Sequence, residues 1–124
     1  MSPTFDDLGR EHDVRPWGTY TVLDDAPGYK VKQITVNPGK RLSYQSHAKR
    51  AEHWFVIDGI ATVTLDDEVF TVLPGASIDV GLGTKHRCAN QGEAPLVFIE
   101  VQYGESFEED DIVRYDDDFG RADR

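Results

Sequence analysis

Four side chains able to bind a metal or move a proton lie within nine positions of one another: Gln45, His47, Glu52 and His53. A fifth, His86, stands downstream in the run HRCAN. On an extended strand, residues two apart share a face, so Gln45 and His47 project together. Ala48 to Ala51 can turn the chain, and Glu52 then opens EHWFVID on the neighbouring strand. An amide oxygen, an imidazole and a carboxylate can thus converge from two adjacent strands, and His86 supplies a second imidazole. Gln45, His47, Glu52 and His86 form a nitrogen and oxygen set without thiolate, suited to Zn, Mn, Fe, Co or Ni. Four protein ligands leave positions open for water or substrate, as a catalytic ion requires.

Taken singly, each of these residues has an ordinary explanation. A histidine on a half-buried strand is more often a satisfied core or surface group than a ligand. The pattern argues otherwise. Strand alternation puts Arg41, Ser43, Gln45 and His47 on one face and Leu42 and Tyr44 on the other. Core packing does not account for an inward face that polar, because buried polar groups need partners.

The elements that must position these groups are short strands. WGTYTVL, YKVKQITV, EHWFVID, IATVTL, EVFTVL, SIDV, KHRCAN and PLVFIEVQY recur at roughly ten-residue spacing, separated by turn signals such as DDAPG, NPG, DG, DD and PG. Almost no helical period is present; the exception is a possible single helical turn near Glu108 to Arg114. An all-β antiparallel sandwich or barrel follows, and small jelly rolls are one such architecture. At 124 residues the chain reads as one domain. Residues 1–14 are expected to form a loosely held N-terminal arm, 15–104 the barrel, and 105–124 an acidic C-terminal segment.

Formal net charge is −10, which argues against nucleic acid, since phosphate backbones need a basic face. The imbalance is uneven. Glu105 to the end holds nine acidic and three basic residues, whereas Val31 to Gly104 holds eight and seven. A divalent ion at the proposed site would turn that central balance positive. The single cysteine, Cys88, excludes an internal disulfide. No apolar run reaches membrane-spanning length and the N-terminus lacks signal-peptide character, so the expected home is a reducing cytoplasm, with no membrane partner.

Two longer patterns give a specific resemblance. Gly39, Gln45, His47, Glu52 and Gly59 fall in register on the first cupin motif, G-x5-H-x-H-x(3,4)-E-x6-G, with Gln45 replacing the first histidine. Gly75, Gly81, Gly83, His86 and Asn90 fall on the second, G-x5-P-x-G-x2-H-x3-N, with Gly81 replacing proline. RPWG-x-Y, YKVK-x-I-x-V-x-PGK, LS-x-Q-x-H-x2-R-x-EHW, IEVQ-x-G and EDDIVR-x-x-D-x-x-GR together resemble the type II phosphomannose isomerase cupin from Arg15 to Arg121. The resemblance implies an antiparallel double-stranded β-helix, the cupin jelly-roll barrel, holding zinc. It also implies interconversion of mannose 6-phosphate and fructose 6-phosphate through an enediol. Many relatives carry this cupin behind a guanylyltransferase domain; 124 residues leave no room for one, so the chain reads as a stand-alone copy.

That reaction needs an acid/base and fixed cations. Glu100, a carboxylate in an otherwise apolar strand, and His53 are the candidates for the first. An ion pair with Lys32 would account equally well for Glu100, and a regular strand turns His53 away from Glu52. Phosphate candidates are Arg50, Lys32, Arg114 and Arg15, with Arg87 a further cation; Arg50 and Arg114 match the family patterns. Lys49 stands where many relatives carry histidine. A non-catalytic metal- and sugar-phosphate-binding cupin and a metal-dependent oxygenase are the competing functions; Gln45 weakens the oxygenase. Open sheet edges motivate a homodimer.

Overall fold

The computed structural model describes residues 4–107 and 111–120. Their regular structure is all β: His12–Arg15 (β1), Gly18–Ala26 (β2), Tyr29–Val36 (β3), Tyr44–His47 (β4), Arg50–Asp58 (β5), Ala61–Leu65 (β6), Glu68–Val72 (β7), Ser77–Val80 (β8), His86–Ala89 (β9), Leu96–Gly104 (β10) and Ile112–Asp116 (β11). One sheet runs β1-β2-β3-β10-β5-β8 and the other β11-β4-β9-β6-β7, with every pairing antiparallel. No helix among the described residues is long and apolar enough to cross a membrane.

The site's location follows from the order of side chains along the inward rows. On β10 the buried row reads Leu96, Phe98, Glu100, Gln102, while Val97, Ile99 and Val101 face outward. Its neighbours run antiparallel in matching register. Phe98 lies opposite Val56 and Ile34, Glu100 opposite Trp54 and Lys32, and Gln102 opposite Glu52. Each strand therefore gives one end of the barrel apolar residues and the other end polar ones. Val36, Val56, Val63, Leu96 and Phe98 seal the apolar end. Full burial of side chains of this size contributes about 1.5–3 kcal/mol each. That plug offsets the cost of burying a polar chamber above it.

Turn chemistry holds the registers. Asp66 and Asp67, at φ 45° and 72°, make the tight β6–β7 hairpin; aspartate tolerates this region better than most side chains. Gly59, at φ +80°, packs so closely that a Cβ there would lie 2.6 Å from the Pro95 carbonyl oxygen.

Three expectations change. Residues 12–14, read as part of a loose arm, join Arg15 in β1, whose pairing with β2 gives them a sheet partner. Of the segment near Glu108 to Arg114, read as one helical turn, Asp111 is 3₁₀-helical, Ile112–Asp116 is a strand bonded to β4 because its alternating pattern suits pairing, and residues 108–110 lie outside the described residues. Strand alternation also fails before Tyr44. Arg41 turns outward to bond Asp118 at 2.8 Å through Nε and Nη2, and Leu42 turns toward the cavity.

Candidate metal centre

The two sheets bring the proposed ligands to one buried place. β4 supplies Gln45 and His47, β5 supplies Glu52, and β9 supplies His86, whose Cα is the register partner of Gln45. His47, Glu52 and His86 each offer an atom within 4.8 Å of the others', and all three are buried. His47 Nε2 lies 3.0 Å from Gln45 Oε1 and 3.7 Å from Glu52 Oε2; His86 Nε2 lies 3.9 Å from Glu52 Oε1.

Proton accounting shows why these contacts suit a cation. His86 Nδ1 is 2.9 Å from the Thr84 carbonyl, which can only accept, so Nδ1 carries the ring proton and Nε2 presents a lone pair. His47 Nε2 lies 3.0 Å from Arg50 Nη2, which can only donate, so this nitrogen also presents a lone pair. The ring proton of His47 then sits on Nδ1, which is buried without a partner. Burial, followed by the charge of Arg50, lowers the His47 pKa to about 3; burial lowers that of His86. Both rings are therefore neutral, as metal ligation requires. Gln45 is fixed in the same sense: Nε2 donates to Ser43 Oγ at 3.0 Å, turning Oε1 toward His47. Gln45, His47, Glu52 and His86 thus bring acceptor atoms together with none of the four supplying a proton to another; the N–H groups that reach them come from Arg50 and Trp54. An ion with bonds of about 2.1 Å sets ligand atoms about 3.0 Å apart at right angles, and farther at wider angles. The residues fit a divalent metal.

Neighbouring residues hold Glu52 in place. Trp54 Nε1 donates to its Oε1 and Arg50 Nε to its Oε2, each at 2.9 Å. Trp54 lies two residues on from Glu52 on the same strand face, a spacing visible in the sequence whose role was missed there.

The centre opens into a cavity of about 310 Å³. Five cationic side chains line it, Arg15, Lys32, Arg50, Arg87 and Arg114, against the two carboxylates Glu52 and Glu100. The chamber is cationic inside an acidic protein. Lys32 Nζ stacks on the Tyr20 ring at 4.8 Å and Arg15 at 5.3 Å, with the Tyr20 hydroxyl donating to Glu11 at 2.7 Å. Tyr20 thus seats two cations at the rim. Arg114 reaches the cavity from β11, in register with Gln45. Arg87 is committed elsewhere: it donates to the Leu42 carbonyl and to Asp116, tying β9 to β11.

Glu100 is buried in the same chamber. Desolvation, then the charge of Glu52, raises its pKa to about 7 despite the opposing charges of Lys32 and Arg50. Gln102, one strand period on, donates to Glu100 Oε1 from Nε2, while its own Oε1 is buried without a partner. Cys88 lines the cavity too; burial pushes its thiol pKa up, and it is not among the side chains whose ligand atoms converge. His53 is the correction. It faces out from β5, 2.6 Å from Asp79 on β8 and away from the cavity, because it alternates with Glu52 on a regular strand. It does not carry forward as an acid/base.

A family model described as mannose-6-phosphate isomerase C-terminal matches residues 7–117. The xanthan biosynthesis protein XanB of Xanthomonas campestris pv. campestris is 50% identical over 108 residues, covering 87% of this chain and 23% of XanB. Mannose-1-phosphate guanylyltransferase ManC of Salmonella typhimurium is 49% identical over 108 residues, covering 87% of this chain and 22% of ManC. The chain spans about a quarter of the length of the curated relatives it matches. A solved sugar phosphate isomerase from a cupin superfamily of Silicibacter pomeroyi aligns with TM-score 0.68 and 19% identity, over 82% of this chain and 75% of that one. At that identity the likeness is one of fold, the double-stranded β-helix of the cupins.

Proposed function

The chain belongs to the mannose-6-phosphate isomerase C-terminal family, and on that footing we propose that it is a metal-dependent isomerase interconverting mannose 6-phosphate and fructose 6-phosphate. One observation carries the reading: a buried carboxyl poised near neutrality shares a cation-lined cavity with a set of metal ligands. Gln45, His47, Glu52 and His86 would hold the ion, for which zinc is our choice. When bound, a divalent ion polarises the substrate's carbonyl and offsets the negative charge that develops on its oxygens.

The protein's own groups supply the rest. Glu100, as carboxylate, takes the proton from C2 of the aldose and returns it to C1, while the hydroxyl proton on O2 passes to O1, so the carbonyl moves from C1 to C2 and nothing is gained or lost. A base with a pKa near 7 is suited to both transfers at neutral pH. Gln102 holds the Glu100 carboxyl by its amide N–H. Lys32 and Arg15 at the Tyr20 rim and Arg114 from β11 take the phosphate, with Arg50 lining the same cavity and bonded to His47 and Glu52. Trp17, Ile34, Leu42 and Trp54 line the cavity with apolar surface that keeps bulk water from the reacting carbons.

The test is a coupled assay for fructose 6-phosphate from mannose 6-phosphate, before and after chelation and after metal is restored. Activity lost on chelation and regained with metal supports the reading. Metal and sugar phosphate bound without product would make the chain a binding cupin.

A further inference from the structure

Arg50 stands apart from the other cavity cations because its donors are spent on the metal-ligand atoms themselves. Nη2 reaches His47 Nε2 at 3.0 Å and Nε reaches Glu52 Oε2 at 2.9 Å, with all three side chains buried. The lone pair on His47 Nε2 can take a guanidinium N–H or a metal ion, but not both. A fixed positive charge at hydrogen-bond distance from two ligands also opposes a second cation there. Loading therefore requires Arg50 to release His47, and the anion-binding part of the cavity is where its charge has use.

We propose that Arg50 is an internal competitor for the metal and couples the metal site to the anion site. A metal ion turns the guanidinium off His47 and toward a bound phosphate-like anion; an anion that holds the guanidinium away from His47 strengthens metal binding by the same factor, as linkage requires. This rests on the metal-site reading above. A guanidinium that merely neutralised Glu52 would behave differently: its loss would not tighten metal binding, and the wild type would show no response to anions.

Cobalt(II) titration of the full chain, followed by the visible absorption of the bound ion, tests this without reference to turnover. Sulfate serves as the anion, against chloride at matched ionic strength. In the wild type, sulfate is expected to tighten cobalt binding by about fivefold or more, the lower end of ordinary coupling factors. Arg50→Gln is expected to bind cobalt about tenfold more tightly than wild type without sulfate and to lose the sulfate response. Arg50→Lys, which keeps the charge but cannot bridge both ligands, should fall between them. If Arg50→Gln does not fold, the lysine variant and the wild-type sulfate response decide the matter alone. Cobalt binding that is no tighter in either variant, or a sulfate response absent from wild type or retained in Arg50→Gln, overturns the competitor role and leaves the metal site standing. Failure of every form to bind cobalt overturns the metal site and the coupling with it.

Discussion

Glu100 and Lys32 sit directly opposite each other on β10 and β3, yet they form no ion pair. The Lys32 ammonium is drawn to the face of Tyr20 at 4.8 Å instead. The carboxylate therefore keeps its burial cost, and its pKa rises to about 7. A strand carboxylate with a lysine at the same level of the sheet looks, in sequence, like a structural pair; the aromatic ring beneath the lysine decides otherwise.

Glu100→Gln should separate activity from stability. Loss of the base is expected to lower kcat by about 10²- to 10⁴-fold. In the chelated protein the same change should stabilise the fold at pH 8. The sign follows from the raised pKa: as pH climbs from 4.5 through 7, the folded wild type must ionise a buried carboxyl, and stability falls. Glutamine removes that cost, so the gain should vanish below about pH 4.5, when both residues are neutral. Denaturant midpoints at pH 4 and pH 8, with kcat at pH 8, check both parts.

Wild-type kcat/KM should fall on the acid side as Glu100 takes up its proton, with an apparent pKa below the value of about 7 that burial and Glu52 give the metal-free protein, because a bound divalent ion favours the carboxylate. A rate profile from pH 5 to pH 9 at constant metal activity would show it. A flat acid limb would remove Glu100 from the reaction.

The two imidazoles should make the chelated protein acid-sensitive. Their folded-state pKa values lie below the ordinary 6.5, that of His47 at about 3. Below pH 6.5 the unfolded chain binds protons that the folded chain refuses, so stability declines as pH falls from about 6.5 toward 3. Glu100 works against this between 4.5 and 7, but two groups oppose one. Urea midpoints should drop between pH 7 and pH 4, and His47→Gln should reduce the drop.

Cations at the rim should act on binding. Lys32→Ala and Arg114→Gln are expected to raise KM for mannose 6-phosphate about tenfold or more, with kcat changed less, since phosphate is held equally in ground and transition states. Steady-state kinetics on each variant distinguishes this from a role in chemistry, which would lower kcat.

Gly59→Ala tests the fold. At φ +80°, with the Pro95 oxygen 2.6 Å from the new Cβ, the substitution should cost about 1–3 kcal/mol and lower Tm.

Legibility in the sequence tracked how local each cause was. Strands such as YKVKQITV and PLVFIEVQY emerge almost as read, because alternation and turn residues are short-range signals. Gln45, His47, Glu52 and His86 meet because motif spacing fixes which face each occupies. Long-range contacts were less accessible. The outward turn of Arg41 depends on Asp118, 77 residues away, and β11 becomes a strand by pairing with β4. Arg50's hold on His47 and Glu52 is likewise a matter of side-chain reach. Gln102 was open to inference from its i+2 relation to Glu100, but a glutamine in a strand seldom draws notice.

The most direct measurement is to incubate the metal-loaded protein with mannose 6-phosphate in deuterium oxide and follow C1 and C2 of the sugar by NMR. Proton transfer by Glu100 beside the Gln45, His47, Glu52 and His86 centre predicts fructose 6-phosphate whose C1 carries the hydrogen taken from C2, replaced by deuterium only in the fraction that exchanges while held on Glu100, with product and exchange both abolished by chelation. One equivalent of metal bound, with neither product nor any exchange at C2, would contradict it.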